Sequence, residues 1–269
     1  MSQNCYIKAL KKGFNPVCGR QWSVEGVRKT CCSMWPLQGG PMAMTRRSIS
    51  PAVLLLVSIM FTSAVPCFGQ GQEAEGVLDA KVKAFLDKMK HQWHDWNVPE
   101  EDGKILYNII LQNHYKRALE VGTSTGRSAI WIAWALSKTG GKLVTIEIDE
   151  DRYRQALANF KQAGLSNIID ARNADAHQLV KDLPGPFDFV FIDADKDWYT
   201  NYAKDIVPKL EPGGCIAAHN VDEQASHGRG YMIGTAEYYR YMKSLPEFET
   251  SIHPGSLVGI ATSYKKKIR

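Results

Sequence analysis

Asp193, Asp195 and Lys196 follow directly on an apolar run, Phe187 to Ile192. An apolar run of that length reads as a buried parallel strand, and in open α/β sheets ligands bind just beyond the carboxyl ends of such strands. Two carboxylates and a lysine at a strand end can hold a cation, orient a hydroxyl or move a proton. A second stretch has the same design. Ala118-Leu-Glu-Val-Gly-Thr-Ser-Thr-Gly-Arg-Ser-Ala-Ile130 is an apolar strand running into a glycine turn and then a helix. Gly122 and Gly126 let backbone come close to a ligand. Their spacing is not that of the dinucleotide fingerprint, so a pyrophosphate grip is disfavoured and an uncharged or zwitterionic adenosine-type ligand suits better. A turn that is merely tight is the plainer alternative.

Four acids extend the pattern. Glu147 ends the next strand, Leu143-Val-Thr-Ile-Glu-Ile-Asp149, and lies about 20 residues beyond the glycine turn, where a carboxylate can accept from both ribose hydroxyls. Asp149 could substitute for it or cap the following helix. Asp175, after the third strand, could meet an adenine amino group or equally cap a helix. Glu120 lies inside an apolar strand and needs a partner there, for which a ligand's ammonium is one candidate.

From about Val98 to Tyr264 the chain resembles the small, metal-dependent, S-adenosylmethionine-dependent O-methyltransferases that act on catechols and caffeoyl-CoA. The resemblance rests on Asn97-Val98 with Asp102-Gly103-Lys104, Leu119 to Ser128, Thr145-Ile-Glu147, Phe187 to Lys196 with Tyr199, and Gly213-Gly214 followed by Asn220-Val221. It implies a donor site made of Val98, Gly122, Ser128, Glu147 and Asp193, with Glu120 and Asp175 beside them. It implies Lys196 as the base near the substrate hydroxyl, and a divalent cation held at Asp193, His219 and Asn220. The chemistry is coherent, because a cation on two vicinal oxygens lowers their pKa, a lysine takes the proton, and in-line placement supplies the entropic advantage.

One position departs from the family. Where it has Asp-Asn, this chain has His219-Asn220. Magnesium prefers oxygen donors, whereas imidazole suits zinc, iron, cobalt or nickel. The site is therefore expected to hold an ion softer than magnesium. The alternatives are a site without metal in which His219 assists Lys196 in catalysis, a degenerate site, or a histidine that only caps the strand. Ala194 stands where catechol-specific members carry a bulkier residue, which leans toward the bacterial caffeoyl-CoA-like branch. His91 and His94 flank Trp93 and read as aromatic packing; His227 lies in a glycine-bearing loop, Ser226 to Gly230, where substrate would enter.

The elements that must position these residues alternate between helix and strand periods. Helices are predicted over Leu78–Met89, from Glu100, and over Gly126–Leu136, Glu150–Ala163, His177–Leu183, Trp198–Leu210 and Thr235–Leu245. Strands are predicted at Arg117–Val121, Lys142–Ile148, Ile168–Arg172, Phe187–Ile192, Cys215–Ala218, Phe248–His253 and Leu257–Tyr264, the last two joined by a tight turn at Pro254-Gly255. This pattern specifies an α/β fold of the doubly wound, Rossmann-like methyltransferase class, seven-stranded and mostly parallel with an antiparallel last strand.

Charge and cysteine divide the chain. Residues 1–47 hold eight Lys or Arg against one acid, residues 48–69 hold no charge, and 25 basic and 27 acidic residues remain beyond. The basic balance thus belongs to the leader, and the main domain, residues 70–269, shows no footprint for nucleic acid; its expected partner is a small-molecule substrate. Arg46-Arg47 precede an apolar run, Ala52 to Val65, of signal-peptide length, with cleavage expected before Gln70. An exported domain is the expectation. An uncleaved anchor touching a membrane through residues 52–65 is the alternative, and residues 1–41 read as an over-extended start. Beyond residue 69 only Cys215 remains, a small buried hydrophobe in a strand. Two functions of other classes stay open: a binding module that keeps the donor pocket without turnover, and, disfavoured by the glycine spacing, a nicotinamide dehydrogenase.

Overall fold

The computed structural model describes residues 69–93, 96–222 and 233–267. The leader's apolar run, His94 and His227 lie outside them. Among the described residues no helix is long and apolar enough to cross a membrane.

Seven strands form one sheet in the order β3-β2-β1-β4-β5-β7-β6. The central strands β1 (Arg117–Val121) and β4 (Phe187–Ile192) have the predicted bounds, and apart from Arg117 and Asp188 they are buried. β2 (Lys142–Glu147) and β3 (Ile169–Asn173) extend the parallel sheet on one side and β5 (Leu210–Ala218) on the other. β7 (Ala261–Lys265) runs antiparallel between β5 and β6 (Phe248–Ile252). The seven strands and the single reversed one are those expected from the sequence.

Helices cover both faces. α1 (Gly69–Met89), α2 (Glu100–Asn113), α3 (Arg127–Thr139) and α4 (Glu150–Ala163) join one apolar layer, whose buried members include Phe85, Ile110, Ile132 and Phe160. α5 (Ala176–Asp182), α6 (Tyr199–Ile206) and α7 (Ile233–Ser244) lie over the other, around Tyr202, Ile206 and Met242. α4 starts where Asp149 accepts from the amide of Arg152 at 2.9 Å, and α5 where Asp175 accepts from that of His177 at 2.9 Å. Both acids therefore take the capping role that the sequence allowed them.

Two expectations are corrected. The single helix expected over Trp198–Leu210 is α6 flanked by 3-10 turns at Lys196–Trp198 and Val207–Lys209, because Pro208 cannot donate to a continuing α-helix. β6 and β7 are joined by residues 253–260 and not by a two-residue turn at Pro254-Gly255. Gly259 at φ 85° explains the longer excursion: a Cβ there would stand 2.3 Å from the Val221 carbonyl, so the chain must swing past the end of β5 before it pairs.

The chain crosses the sheet between β1 and β4, so their carboxyl ends open onto a crevice at the topological switch point. β4 is in register with β1 through Val121↔Ile192. Gly122 turns away immediately beyond at φ 96°, and a Cβ on it would lie 2.3 Å from the Asp193 carbonyl oxygen. Only glycine permits this approach.

Candidate active site

Glu120, the acid inside β1, is fully buried. Thr123 Oγ1 lies 2.5 Å from Thr145 Oγ1, and the Thr145 hydroxyl donates to Glu120 Oε2 at 2.5 Å, while Oε1 has no partner in the protein. The Ser128 hydroxyl also supports the carboxyl group. Burial dominates and pushes its pKa up from 4.5 to about 8 against those hydrogen bonds. Between those values the folded chain keeps a proton that the unfolded chain releases, so stability falls as pH rises from about 5 to about 8 and flattens above. Unfolding free energies from urea titrations across this range should decline faster for the parent than for Glu120→Gln, by at most ~1.4 kcal/mol per pH unit. Parallel curves would mean that Glu120 is ionised throughout.

Glu147 ends β2 with its carboxylate anchored from two sides. Oε2 accepts from the Ser124 amide at 2.6 Å and Oε1 from the Asp149 amide at 2.9 Å. A carboxylate has room for about four acceptor contacts, so each oxygen retains capacity for a hydroxyl. Ser124, in the glycine turn at φ 50°, is brought to Glu147 by the β1–β2 pairing. Ile148, next in the chain, is a large apolar side chain left 69% exposed. Over the turn lies the segment before α2: Asn97 donates to Thr125 Oγ1 at 2.8 Å, and Val98 is buried.

Beyond β4 the charges meet. Lys196 Nζ is 2.6 Å from Asp193 Oδ1 and donates to the Tyr199 hydroxyl at 2.8 Å; that hydroxyl donates to the His219 carbonyl at 3.2 Å. His219 Nδ1 lies 3.1 Å from Asp193 Oδ2, an ion pair short of hydrogen-bond geometry. His219 Nε2 is 3.0 Å from Asp102 Oδ2. Asp102 is fully buried in the first turn of α2, and its other oxygen accepts from the Leu257 amide at 3.3 Å. Burial opposes a charge on His219, but Asp193 and Asp102 outweigh it and push its pKa up to about 9. Burial would raise Asp193, yet the cations His219 and Lys196 hold it below the ordinary carboxylate range.

The predicted residues thus fall into two halves of one crevice: Val98, Glu120, Gly122, Ser128 and Glu147 around the glycine turn, and Lys196, His219 and Asp193 beside it. Asp175 lies outside the Lys196 cluster, just beyond β3 where that strand pairs with Glu147, and caps α5 with a half-exposed side chain. Asp195 leaves the cluster as well, since it accepts from Tyr202 at 2.8 Å and lies 3.0 Å from His177 Nε2. Asn220 occupies the turn after β5 at φ 54°, a conformation asparagine tolerates well. Asp102 and Tyr199, which the sequence marked only as members of the motifs that carry the resemblance, join this cluster.

Residues 75–228 match the family model described as O-methyltransferase. The chain belongs to the O-methyltransferase family. It is 40% identical over 129 residues to the catechol O-methyltransferase of Niastella koreensis, covering 46% of this chain and 58% of that one. To caffeoyl-CoA O-methyltransferase 1 of Eucalyptus globulus it is 34% identical over 136 residues, 49% of this chain and 55% of that one. The chain thus spans little more than half the length of these relatives. Its fold matches the O-methyltransferase of Bacillus cereus in complex with SAH at a TM-score of 0.58 and 25% identity, over 70% of this chain and 91% of that one.

Within this O-methyltransferase family member, Asp193 and His219, two of the residues to which the resemblance assigns a divalent cation, lie side by side. Asp193 Oδ1 pairs with Lys196, and His219 Nε2 lies 3.0 Å from the Asp102 carboxylate, while the buried Nδ1, 3.1 Å from Asp193 Oδ2, makes no hydrogen bond. A metal ligand needs a lone pair on the imidazole. Among the described residues no three of His, Cys, Asp and Glu are arranged to hold a metal ion.

Proposed function

We propose that this chain transfers the methyl group of S-adenosylmethionine to a hydroxyl of a small catechol-like or phenylpropanoid substrate. The observation that carries the reading is the pairing of two half-sites at the switch point, an adenosine-type cradle at Gly122–Ser128 with Glu147 and a proton-handling cluster at Lys196, joined where Gly122 meets Asp193. The names of the relatives support it. Glu147 is assigned the ribose hydroxyls, Ile148 a face of the adenine, and the partnerless oxygen of Glu120 the donor's ammonium.

In the reaction a bond forms between substrate oxygen and methyl carbon, the carbon–sulfur bond breaks, and the sulfonium becomes a neutral thioether. Lys196, a cation in the resting site, first gives a proton to solvent and then, as the free amine, takes the hydroxyl proton. The ammonium so formed has its place ready, between Asp193 and the Tyr199 hydroxyl. No step is routed through a metal.

Glu147→Ala should weaken donor binding by about 1–3 kcal/mol, because a charged acceptor is taken from two hydroxyls. Titration calorimetry with donor measures this, and unchanged affinity removes Glu147 from the site. Calorimetry together with a product assay on a panel of vicinal diols tests the function itself. Donor binding without a methylated product would favour the module that binds and does not turn over.

A further inference from the structure

α7 begins against the main chain of Lys196. Gly234, its second residue, is buried there. A Cβ on it would stand 2.3 Å from the Lys196 carbonyl oxygen and 2.7 Å from both the Lys196 carbonyl carbon and Asp197 Cα. These are backbone atoms, so no change of rotamer relieves the clash. Gly234 has no positive φ that would demand glycine, and glycine is the poorest helix former after proline. The close approach is what requires it. One turn further, Tyr238 packs edge-on against Tyr199, with ring centroids 5.8 Å apart at 87° and both side chains fully buried. Tyr199 is the residue whose hydroxyl accepts from Lys196 Nζ at 2.8 Å. Gly234 and Tyr238, four positions apart, share one face of α7, and that face meets the lysine at its main chain and, through Tyr199, at its head.

We infer that α7 sets the position of Lys196, with Gly234 as the positioning residue for its main chain and Tyr238 as the one for its head. The inference rests on the proposed O-methylation for its catalytic meaning. Both residues act through Lys196, and neither supplies a group to the reaction. β4 delivers the lysine to the crevice, and α7 stops it at one depth. Because Nζ must meet the substrate oxygen, a shift of about 1 Å in its support can cost about 10²-fold in rate.

The test uses the full chain with Gly234→Ala, and as control Arg240→Ala, an exposed position on the same helix. Single-turnover methylation should fall about 10-fold or more in Gly234→Ala, while donor affinity by calorimetry stays within roughly 2-fold of the parent. In a Lys196→Met background the same substitution should change the rate by less than about 2-fold, because a residue that acts through Lys196 has nothing left to act on. Labelling with acetic anhydride, read by peptide mass spectrometry, follows the lysine without any turnover. Acetylation of Lys196 relative to the exposed Lys90 should rise in Gly234→Ala and stay at the parent level in Arg240→Ala. A Gly234→Ala rate close to that of the parent overturns the inference, as does a rate loss matched by lost donor affinity. A loss that repeats in full in the Lys196→Met background overturns it too, and so does labelling of Lys196 that does not rise. Should Gly234→Ala not fold, Tyr238→Leu, which removes the ring behind Tyr199, is held to the same outcomes. A parent that methylates no diol defeats the proposed reaction, while the labelling still judges the positioning.

Discussion

Lys196→Met is expected to lower kcat for methyl transfer by about 10²–10⁴-fold while donor affinity stays close to that of the parent. Methionine keeps the length of the side chain and removes its proton chemistry. The nitrogen it deletes lies 2.6 Å from Asp193 and 2.8 Å from the Tyr199 hydroxyl, on the acceptor side of the crevice and outside the glycine cradle. Single-turnover product formation measures the loss, and calorimetry with donor provides the control. A change of less than about 10-fold would assign proton removal to another group. A matching loss of donor affinity would show that the two halves of the site are not separable.

Asp102→Ala should cost about 3 kcal/mol of stability, the usual scale for breaking a buried pair and leaving one partner unmatched. Asp102 accepts from His219 and from the Leu257 amide, and its side chain is fully enclosed. For a domain of this size the loss lowers Tm by roughly 6–12 °C. Asp102→Asn preserves an acceptor and should lose less. Differential scanning calorimetry of the two variants beside the parent is decisive, and equal stability of parent and Asp102→Ala would remove Asp102 from the network.

Asp102 also shows where reading the sequence stops. Runs such as Arg117–Val121 and Phe187–Ile192 are legible because burial on both faces demands unbroken apolar residues, and the structure returns them with the same bounds. The capping acids Asp149 and Asp175 are legible because a cap is local chemistry. A carboxylate that meets a histidine 117 positions away has no local mark. In the first turn of α2, beside Glu100 and Glu101, Asp102 looks like one more acid favoured by the helix dipole. Asp195 misleads for the converse reason. It stands among the charges at the end of β4, yet His177 and Tyr202 engage it, and they lie on helices whose approach a linear pattern does not show. The closing loop is longer than Pro254-Gly255 implies, because that sound turn signal is outweighed by the approach of Gly259 to Val221.

The contact of Gly122 with the Asp193 carbonyl has a mechanical consequence. The donor cradle hangs from β1 and the proton-handling cluster from β4, and the two strands are laced by backbone pairing up to Val121 and Ile192, with the Asp193 amide donating to the Val121 carbonyl at 2.8 Å. In the proposed reaction the span between sulfonium and nucleophile is then set by the spacing of neighbouring strands and not by the reach of flexible side chains. Such a gauge is as stiff as the sheet itself. Side chains that line the crevice can be exchanged, and in the proposed reaction the distance over which the methyl group travels stays the same.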